Sequence, residues 1–127
     1  MIRVYEQSYT FTFEAAHDLA ENVRGEADHP YSRIHGHSFV VTLTLRADKL
    51  APEGWIIDFA KLKAICERLR ARLDHRLLNA IPGLERPTLE NTAAWIFAAA
   101  VAEAPALHKV ELTRPTLNER VAYCVGG

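Results

Sequence analysis

Cysteine is scarce in this chain of 127 residues, which contains only Cys66 and Cys124, far apart in the sequence. A disulfide framework needs several cysteines, and a cysteine-based zinc site needs them in closely spaced pairs. The sequence therefore excludes both. Cys66 falls on the apolar side of a predicted helix and is interpreted as a small core residue. Nothing near Cys124 in the sequence would activate a thiolate, so neither cysteine is a candidate nucleophile.

The chain also lacks long hydrophobic runs and an excess of charge of either sign. Its longest apolar run covers residues 93–102 and is too short to cross a bilayer. The first six residues are too polar for a signal peptide, so we expect a soluble, cytoplasmic protein without a membrane partner. With 15 Lys and Arg against 16 Asp and Glu, the chain lacks the basic excess of a nucleic-acid binder. A local basic pocket for a small phosphorylated ligand remains possible.

The remaining composition and the hydrophobic patterns predict a single domain that spans residues 1–127. Hydrophobic residues make up 49% of the chain, enough for a core, and we find no repeat or linker. Apolar and polar residues alternate over residues 9–14 and again over residues 38–45, which is typical of half-buried strands. Between these strands lies a polar, irregular segment, residues 18–34, and a long loop in a compact domain is usually functional.

After residue 58 the apolar residues recur at the spacing of a helix and no longer alternate with polar ones. Asp58 and Thr88 are predicted N-caps of two helices, the second of which is apolar nearly all round. Two short strands, residues 109–113 and 120–125, complete the order β-β-α-α-β-β. This order predicts an α+β domain in which an antiparallel sheet carries both helices on one face. The other face is polar at Thr42 and Thr44, yet Val40 interrupts it, which favours an oligomer.

Three histidines form the strongest candidate site. His35 and His37 flank a glycine at the start of the second strand, so their side chains project to the same side. His17 stands at the end of the first strand and completes a three-imidazole set if the two strands pair. Three neutral imidazoles suit Zn²⁺ and leave a fourth position for water or substrate. Because isolated His-x-His pairs also arise by chance, ordinary loop histidines remain the alternative, and Asp28 or His29 could supply a fourth ligand.

A second candidate is the dipeptide Asp74-His75 after the first helix. A carboxylate beside an imidazole can act as a proton-transfer pair. Equally, a histidine near the C-terminus of a helix is stabilised by the helix dipole, so the dipeptide alone favours a structural interpretation.

Several blocks in order resemble the zinc signature of the 6-pyruvoyltetrahydropterin synthase family, above all its bacterial branch, the 6-carboxytetrahydropterin synthases of queuosine biosynthesis. The blocks are residues 13–17 (FEAAH), 35–39 (HGHSF), 54–59 (GWIIDF), 73–75 (LDH), 78–79 (LN), 81–85 (IPGLE) and 87–88 (PT). The resemblance implies a tunnelling fold, a homohexamer built as a dimer of trimers, and a lyase that acts on the side chain of 7,8-dihydroneopterin triphosphate. It further implies Zn²⁺ on His17, His35 and His37, catalysis by Asp74 and His75, and a substrate contact at Thr88.

The chain departs from this family at two positions. Tyr31 stands where the bacterial members carry a catalytic cysteine, and tyrosine, with an unperturbed pKa near 10, is a poor general base. The surrounding loop offers Glu26, Asp28 and His29 as substitutes. The family's pterin-anchoring glutamate is replaced by Thr113 or Arg114, depending on the alignment. Alternatives are therefore a different pterin or heterocycle substrate, or a non-catalytic binding protein.

Overall fold

Two long strands form the centre of the fold. A computed structural model describes residues 1–23 and 29–126, and in it β1 (Tyr5–His17) pairs antiparallel with β2 (His35–Ala47) along their whole length. Both strands extend beyond the segments that the alternation predicted. Their odd-numbered residues, such as Phe13, Phe39 and Leu43, are buried on one face, as the period of two requires.

The sheet has five strands in the order β3-β1-β2-β4-β5. Antiparallel pairs join β2 to β4 (Leu107–Arg114) and β4 to β5 (Glu119–Cys124). The two-residue β3 (Arg76–Leu77) pairs in parallel with β1. The sheet is therefore mixed, whereas the sequence predicted an antiparallel one. Two residues are too few to show an alternating pattern, so β3 could not be recognised.

Both helices begin where the capping residues predicted. The Asp58 carboxylate accepts a hydrogen bond from the N–H of Ala60 at 2.9 Å, and α1 covers Phe59–Leu73. The Thr88 hydroxyl accepts one from the N–H of Asn91 at 3.1 Å, and α2 covers Leu89–Val101. Each cap satisfies a backbone donor that the first helical turn leaves without a partner.

One hydrophobic core lies between the sheet and the two helices. It contains the buried residues of both helices together with the odd-numbered side chains of β1 and β2, so the helices lie on one face, as predicted. Cys66 is 1% exposed within this core, and burial raises the pKa of its thiol to about 12. Cys66 is thus a packing residue.

The opposite face of the sheet is polar. Here the hydroxyl groups of Ser8 and Thr44 lie 3.1 Å apart, and those of Thr10 and Thr42 lie 2.9 Å apart. Such cross-strand pairs stabilise the register of the two strands. Within the described ranges, no helix is long and apolar enough to cross a membrane.

Candidate metal centre

The three predicted histidines meet at one end of the β1–β2 pair. His17 is the register partner of His35, and His37 is the partner of Ala15. All three have odd numbers, so they continue the row of buried side chains on the helix-covered face. Below them, the rings of Phe13 and Phe39 stack with centroids 4.7 Å apart, which gives the imidazoles a rigid apolar floor.

One ring nitrogen from each of His17, His35 and His37 lies within 4.8 Å of the other two. Nε2 of His17 is 3.1 Å from Nε2 of His35. Ligand nitrogens on one tetrahedral Zn²⁺ lie about 3.3 Å apart, given Zn–N bonds of about 2.0 Å. Among the residues that the structure describes, no other cluster of three such side chains has this spacing.

Backbone carbonyls orient two of these rings. Nδ1 of His17 lies 3.0 Å from the carbonyl oxygen of Pro87, and Nδ1 of His35 lies 2.8 Å from that of Arg33. A carbonyl only accepts hydrogen bonds, so each Nδ1 carries the proton and each Nε2 presents a lone pair. The Nε2 atoms of His17 and His35 are then two acceptors facing each other, an arrangement that a cation between them satisfies.

His37 completes the donor set. Its Nε2 is buried and has no hydrogen-bond partner. Burial is the main cause that lowers the pKa of His37 to about 4, and the positive charge of Arg114 adds to it. Burial likewise lowers the pKa of His17, against the opposing effect of the Pro87 carbonyl. At neutral pH both imidazoles are therefore uncharged, which is the form that binds a metal.

These observations fit a divalent metal with three imidazole ligands and an open coordination position. Neutral imidazole is a ligand that Zn²⁺ favours, although Cu²⁺, Ni²⁺ and Fe²⁺ also accept it. His29, the fourth ligand considered from the sequence, is not part of the cluster. Its Nδ1 accepts a hydrogen bond from the N–H of Tyr31 at 3.1 Å. Asp28 and Glu26 lie outside the described residues.

Asp74 and His75 form a hydrogen-bonded pair, as their predicted role requires. Nδ1 of His75 lies 2.8 Å from Oδ2 of Asp74, while the imidazole remains largely exposed. The other carboxylate oxygen, Oδ1, accepts from the N–H of Glu14 at 2.9 Å. This bond and the one with His75 lower the pKa of Asp74, and Arg70 contributes further. Asp74 therefore carries a negative charge and holds the imidazole in one orientation.

The backbone also fixes His75. Its φ of 57° is in the left-handed region, which few non-glycine residues adopt. The N–H of His75 donates to the carbonyl oxygen of Glu14 at 2.6 Å. Because Asp74 and His75 both bind Glu14, the end of α1 is tied to β1 three residues before His17.

A cavity of about 710 Å³ lies between one residue of the histidine cluster and one residue of this pair. Both His37 and His75 line it, although they come from different elements. Glu14 and Ser38 also line it, and the Ser38 hydroxyl donates to Oε1 of Glu14 at 2.8 Å. A volume of this size accommodates a bicyclic ligand.

Thr88 and Tyr31 are not among the residues that line the cavity. The Thr88 hydroxyl caps α2, and the preceding residue, Pro87, supplies the carbonyl that orients His17. Tyr31 is half exposed, and its ring packs edge-to-face on His29 with centroids 4.6 Å apart. Their roles in binding or catalysis remain predictions.

Several residues of the site could not have been found by sequence reasoning. The carbonyls of Pro87 and Arg33 act through the backbone, which leaves no side-chain signal. Arg114 was considered only as an alternative to Thr113 in a variable turn. Which of the two replaces the family glutamate stays a prediction. Thr113 pairs with Val40 on the opposite face, so Arg114 is the one that shares the face of the histidines.

Taken together, the five-stranded sheet, the two helices on one face and the three gathered imidazoles define an α+β protein with a three-histidine cluster that could hold a metal ion. The chain belongs to the 6-pyruvoyl tetrahydropterin synthase family, whose family model matches residues 6–124. This confirms the resemblance inferred from the sequence blocks.

Relatives and solved structures agree with this assignment. Over 108 residues the chain is 43% identical to a 6-carboxy-5,6,7,8-tetrahydropterin synthase of Synechocystis sp., with 80% of each chain covered. It is 34% identical over 84 residues to a dihydroneopterin monophosphate aldolase of Pyrococcus furiosus, covering 66% of this chain and 68% of that one. The structure of Caenorhabditis elegans 6-pyruvoyl tetrahydropterin synthase superposes with a TM-score of 0.83 at 24% identity, covering 98% of each chain. The fold is therefore the tunnelling fold that the resemblance implied.

Proposed function

We propose that the protein is a zinc-dependent lyase that acts on the side chain of 7,8-dihydroneopterin triphosphate or a related pterin, as a 6-carboxytetrahydropterin synthase does. The observation that carries this proposal is the 3.1 Å approach of the Nε2 atoms of His17 and His35, whose Nδ1 atoms both face carbonyls. A bound cation best explains why these two Nε2 acceptors face each other beside Nε2 of His37, which has no hydrogen-bond partner among the described residues.

When bound there, Zn²⁺ supplies Lewis-acid polarisation of the side-chain oxygens of the substrate, which makes adjacent protons easier to remove. His17, His35 and His37 hold the metal and leave one coordination position for the substrate. The apolar floor of Phe13 and Phe39 keeps water away from the buried side of the centre.

His75 is the proposed proton-transfer group. Its Nδ1–H donates to Asp74, which leaves Nε2 free to accept a proton from the substrate and return it. Asp74 stabilises the imidazolium that forms after the proton has moved. Because Tyr31 replaces the cysteine of the bacterial relatives, we propose that this pair carries the proton transfer without a thiolate.

The second candidate function is aldolase-type cleavage of a dihydroneopterin phosphate. The relative named dihydroneopterin monophosphate aldolase favours it, at 34% identity over 84 residues. Both reactions remove a proton from the same side chain beside a metal, so the same residues serve either one. Both candidates break the bond between the first and second side-chain carbons. They differ in whether the carbon left on the ring is a carboxylate or a hydroxymethyl group, so products distinguish them.

We further propose that the protein works in the cytoplasm, in queuosine biosynthesis, as a homohexamer formed by two trimers. The polar sheet face, with its exposed hydroxyl row, is the surface that such an assembly would cover. Light scattering on the zinc-loaded protein tests the assembly, and a monomeric mass contradicts it.

The test of the function is to incubate zinc-loaded protein with 7,8-dihydroneopterin triphosphate and, separately, with the monophosphate. Mass spectrometry then identifies the products. We expect 6-carboxytetrahydropterin from the triphosphate. Release of a shortened, 6-hydroxymethyl pterin from either substrate identifies the aldolase instead.

Three variants accompany this assay. His35→Ala should lose its zinc and all turnover, and unchanged zinc stoichiometry in this variant contradicts the metal centre. His75→Gln should keep its zinc and lose turnover at least about 100-fold, since general acid–base groups contribute that much.

Tyr31→Cys restores the residue of the bacterial relatives. If only this variant turns over, the natural protein has another substrate or binds without reaction.

A further inference from the structure

Arg114 places a positive charge beside the metal centre. It is the last residue of β4 and follows Leu112 on the face that carries Phe39 and His37. Its side chain is only 15% exposed. Its charge is close enough to lower the pKa of both His37 and His17.

The guanidinium of Arg114 is only partly satisfied by the protein. One Nη atom donates to Oε1 of Glu119 at 2.8 Å. Nε, by contrast, is buried and has no hydrogen-bond partner among the residues that the structure describes. A guanidinium offers five N–H donors, and buried donors are nearly always paired, so an acceptor supplied by a bound ligand fits this position.

The charges around Arg114 indicate which kind of ligand group could accept its hydrogen bond. A divalent cation on the three histidines and the guanidinium of Arg114 would both be positive, and the carboxylates of Glu119 and Asp18 offset only part of this charge. Imidazole side chains carry no negative charge that could compensate. A ligand group with one negative charge spread over two oxygens lowers this repulsion, since one oxygen can face the metal and the other the guanidinium.

We propose that Arg114 is a ligand-binding residue that recognises a carboxylate on the reaction product, a group that would also reach a metal held by the three histidines. This inference rests on the metal centre of the proposed function and adds to it the chemical class of the group that is bound. The specificity of the site is then for an anionic heterocycle side chain.

Binding of small probes to the cobalt-substituted protein tests this inference without any turnover. Imidazole ligands bind Co²⁺, and its visible absorption changes when a ligand enters the open position. We expect acetate to bind with a measurable affinity and acetamide, its neutral counterpart of equal shape, to bind at least about ten-fold more weakly. Cobalt content is measured on every sample.

Three variants complete the design. Arg114→Gln should weaken acetate binding by about ten-fold or more, the loss of a charge-assisted hydrogen bond. Arg46→Gln removes another strand arginine that is paired with a glutamate, Glu6, but lies at the far end of β2, and it should bind acetate as the natural protein does. Glu119→Gln removes the negative charge that competes for Arg114 and should strengthen acetate binding several-fold.

The outcomes separate the two proposals. If the natural protein takes up no cobalt, the metal centre fails and this inference fails with it. If cobalt is bound but acetate binds Arg114→Gln and Arg46→Gln equally well, only the role of Arg114 is overturned. Should Arg114→Gln not fold, Glu119→Gln decides, because unchanged acetate affinity in that variant equally overturns it.

Discussion

At the scale of single residues, the protonation state of His37 links the stability of the protein to pH. Its imidazole has a pKa of about 4 in the folded chain, against 6.5 for a free histidine. Burial is the first cause, and the charge of Arg114 is the second. Unfolding exposes the ring to water and removes both effects.

The pH dependence of stability follows with a definite sign. Between pH 6.5 and about 4 the unfolded chain binds a proton at residue 37 that the folded chain rejects. The contribution of His37 to the free energy of unfolding of the metal-free protein should therefore be complete above pH 6.5. It should decrease as the pH falls through this window. Urea denaturation at several pH values measures it.

His37→Gln is the variant that isolates this effect, and His108→Gln, which changes a histidine of β4 outside the cluster, is its control. We expect a shallower decrease in stability for His37→Gln than for the natural protein and the control. Equal slopes in all three proteins contradict the assignment.

The candidate site also shows which of its residues can be predicted from the sequence. Side-chain identities and the His-Gly-His spacing predicted His17, His35 and His37, because a strand with a period of two leaves few arrangements open. The hydrogen bonds that orient His17 could not be predicted, since Pro87 is 70 residues away and acts through its carbonyl. Nor could the buried Nε of Arg114, which depends on packing around a turn.

At the scale of elements, the two residues that precede α2 link this helix to the histidine cluster. Thr88 caps the helix, and Pro87, which precedes it, holds the ring of His17. Asp74 similarly ends α1 and binds the backbone of β1 at Glu14. Helix ends, where backbone groups lack partners within the helix, thus position the site.

The role of Thr88 as a cap gives a prediction for α2. Thr88→Ala removes the acceptor for the N–H of Asn91 and should lower the free energy of unfolding by about 1 kcal/mol. Thr88→Ser keeps the hydroxyl and should stay within about 0.5 kcal/mol of the natural protein. Urea denaturation of the metal-free protein provides both values. Unchanged stability in Thr88→Ala, together with weaker pterin binding, would assign Thr88 to the ligand instead.

Elements differ in how well the sequence predicts them. Both N-caps, both helices and four strands were recognised, because each has a periodic pattern or a capping residue at its start. β3 was missed, since its pairing with Ala15 and Ala16 depends on where the end of α1 is tied down. Short strands of this kind are determined by tertiary contacts.

At the scale of the whole molecule, the metal centre couples the ends of β1 and β2 to α2. The three histidines come from two strands, and the carbonyl that orients His17 comes from Pro87, just before α2. A bound metal would therefore join elements that are far apart in the sequence. The unfolded chain cannot hold the three histidines at this spacing. A metal ion bound at the three histidines would therefore stabilise the folded state.

Zinc should raise the melting temperature of the protein by roughly 10 °C when its free concentration is about 100 times the dissociation constant. That concentration corresponds to about 2.7 kcal/mol of stabilisation, and about 1 kcal/mol shifts the melting temperature of a domain of this size by about 4 °C. Calorimetry with and without zinc measures the shift. His35→Ala, which lacks one ligand, should lose most of it, whereas His108→Gln should keep it. An equal shift in His35→Ala would mean that zinc stabilises the fold from another site, and the three histidines would then be structural residues of the β1–β2 pair.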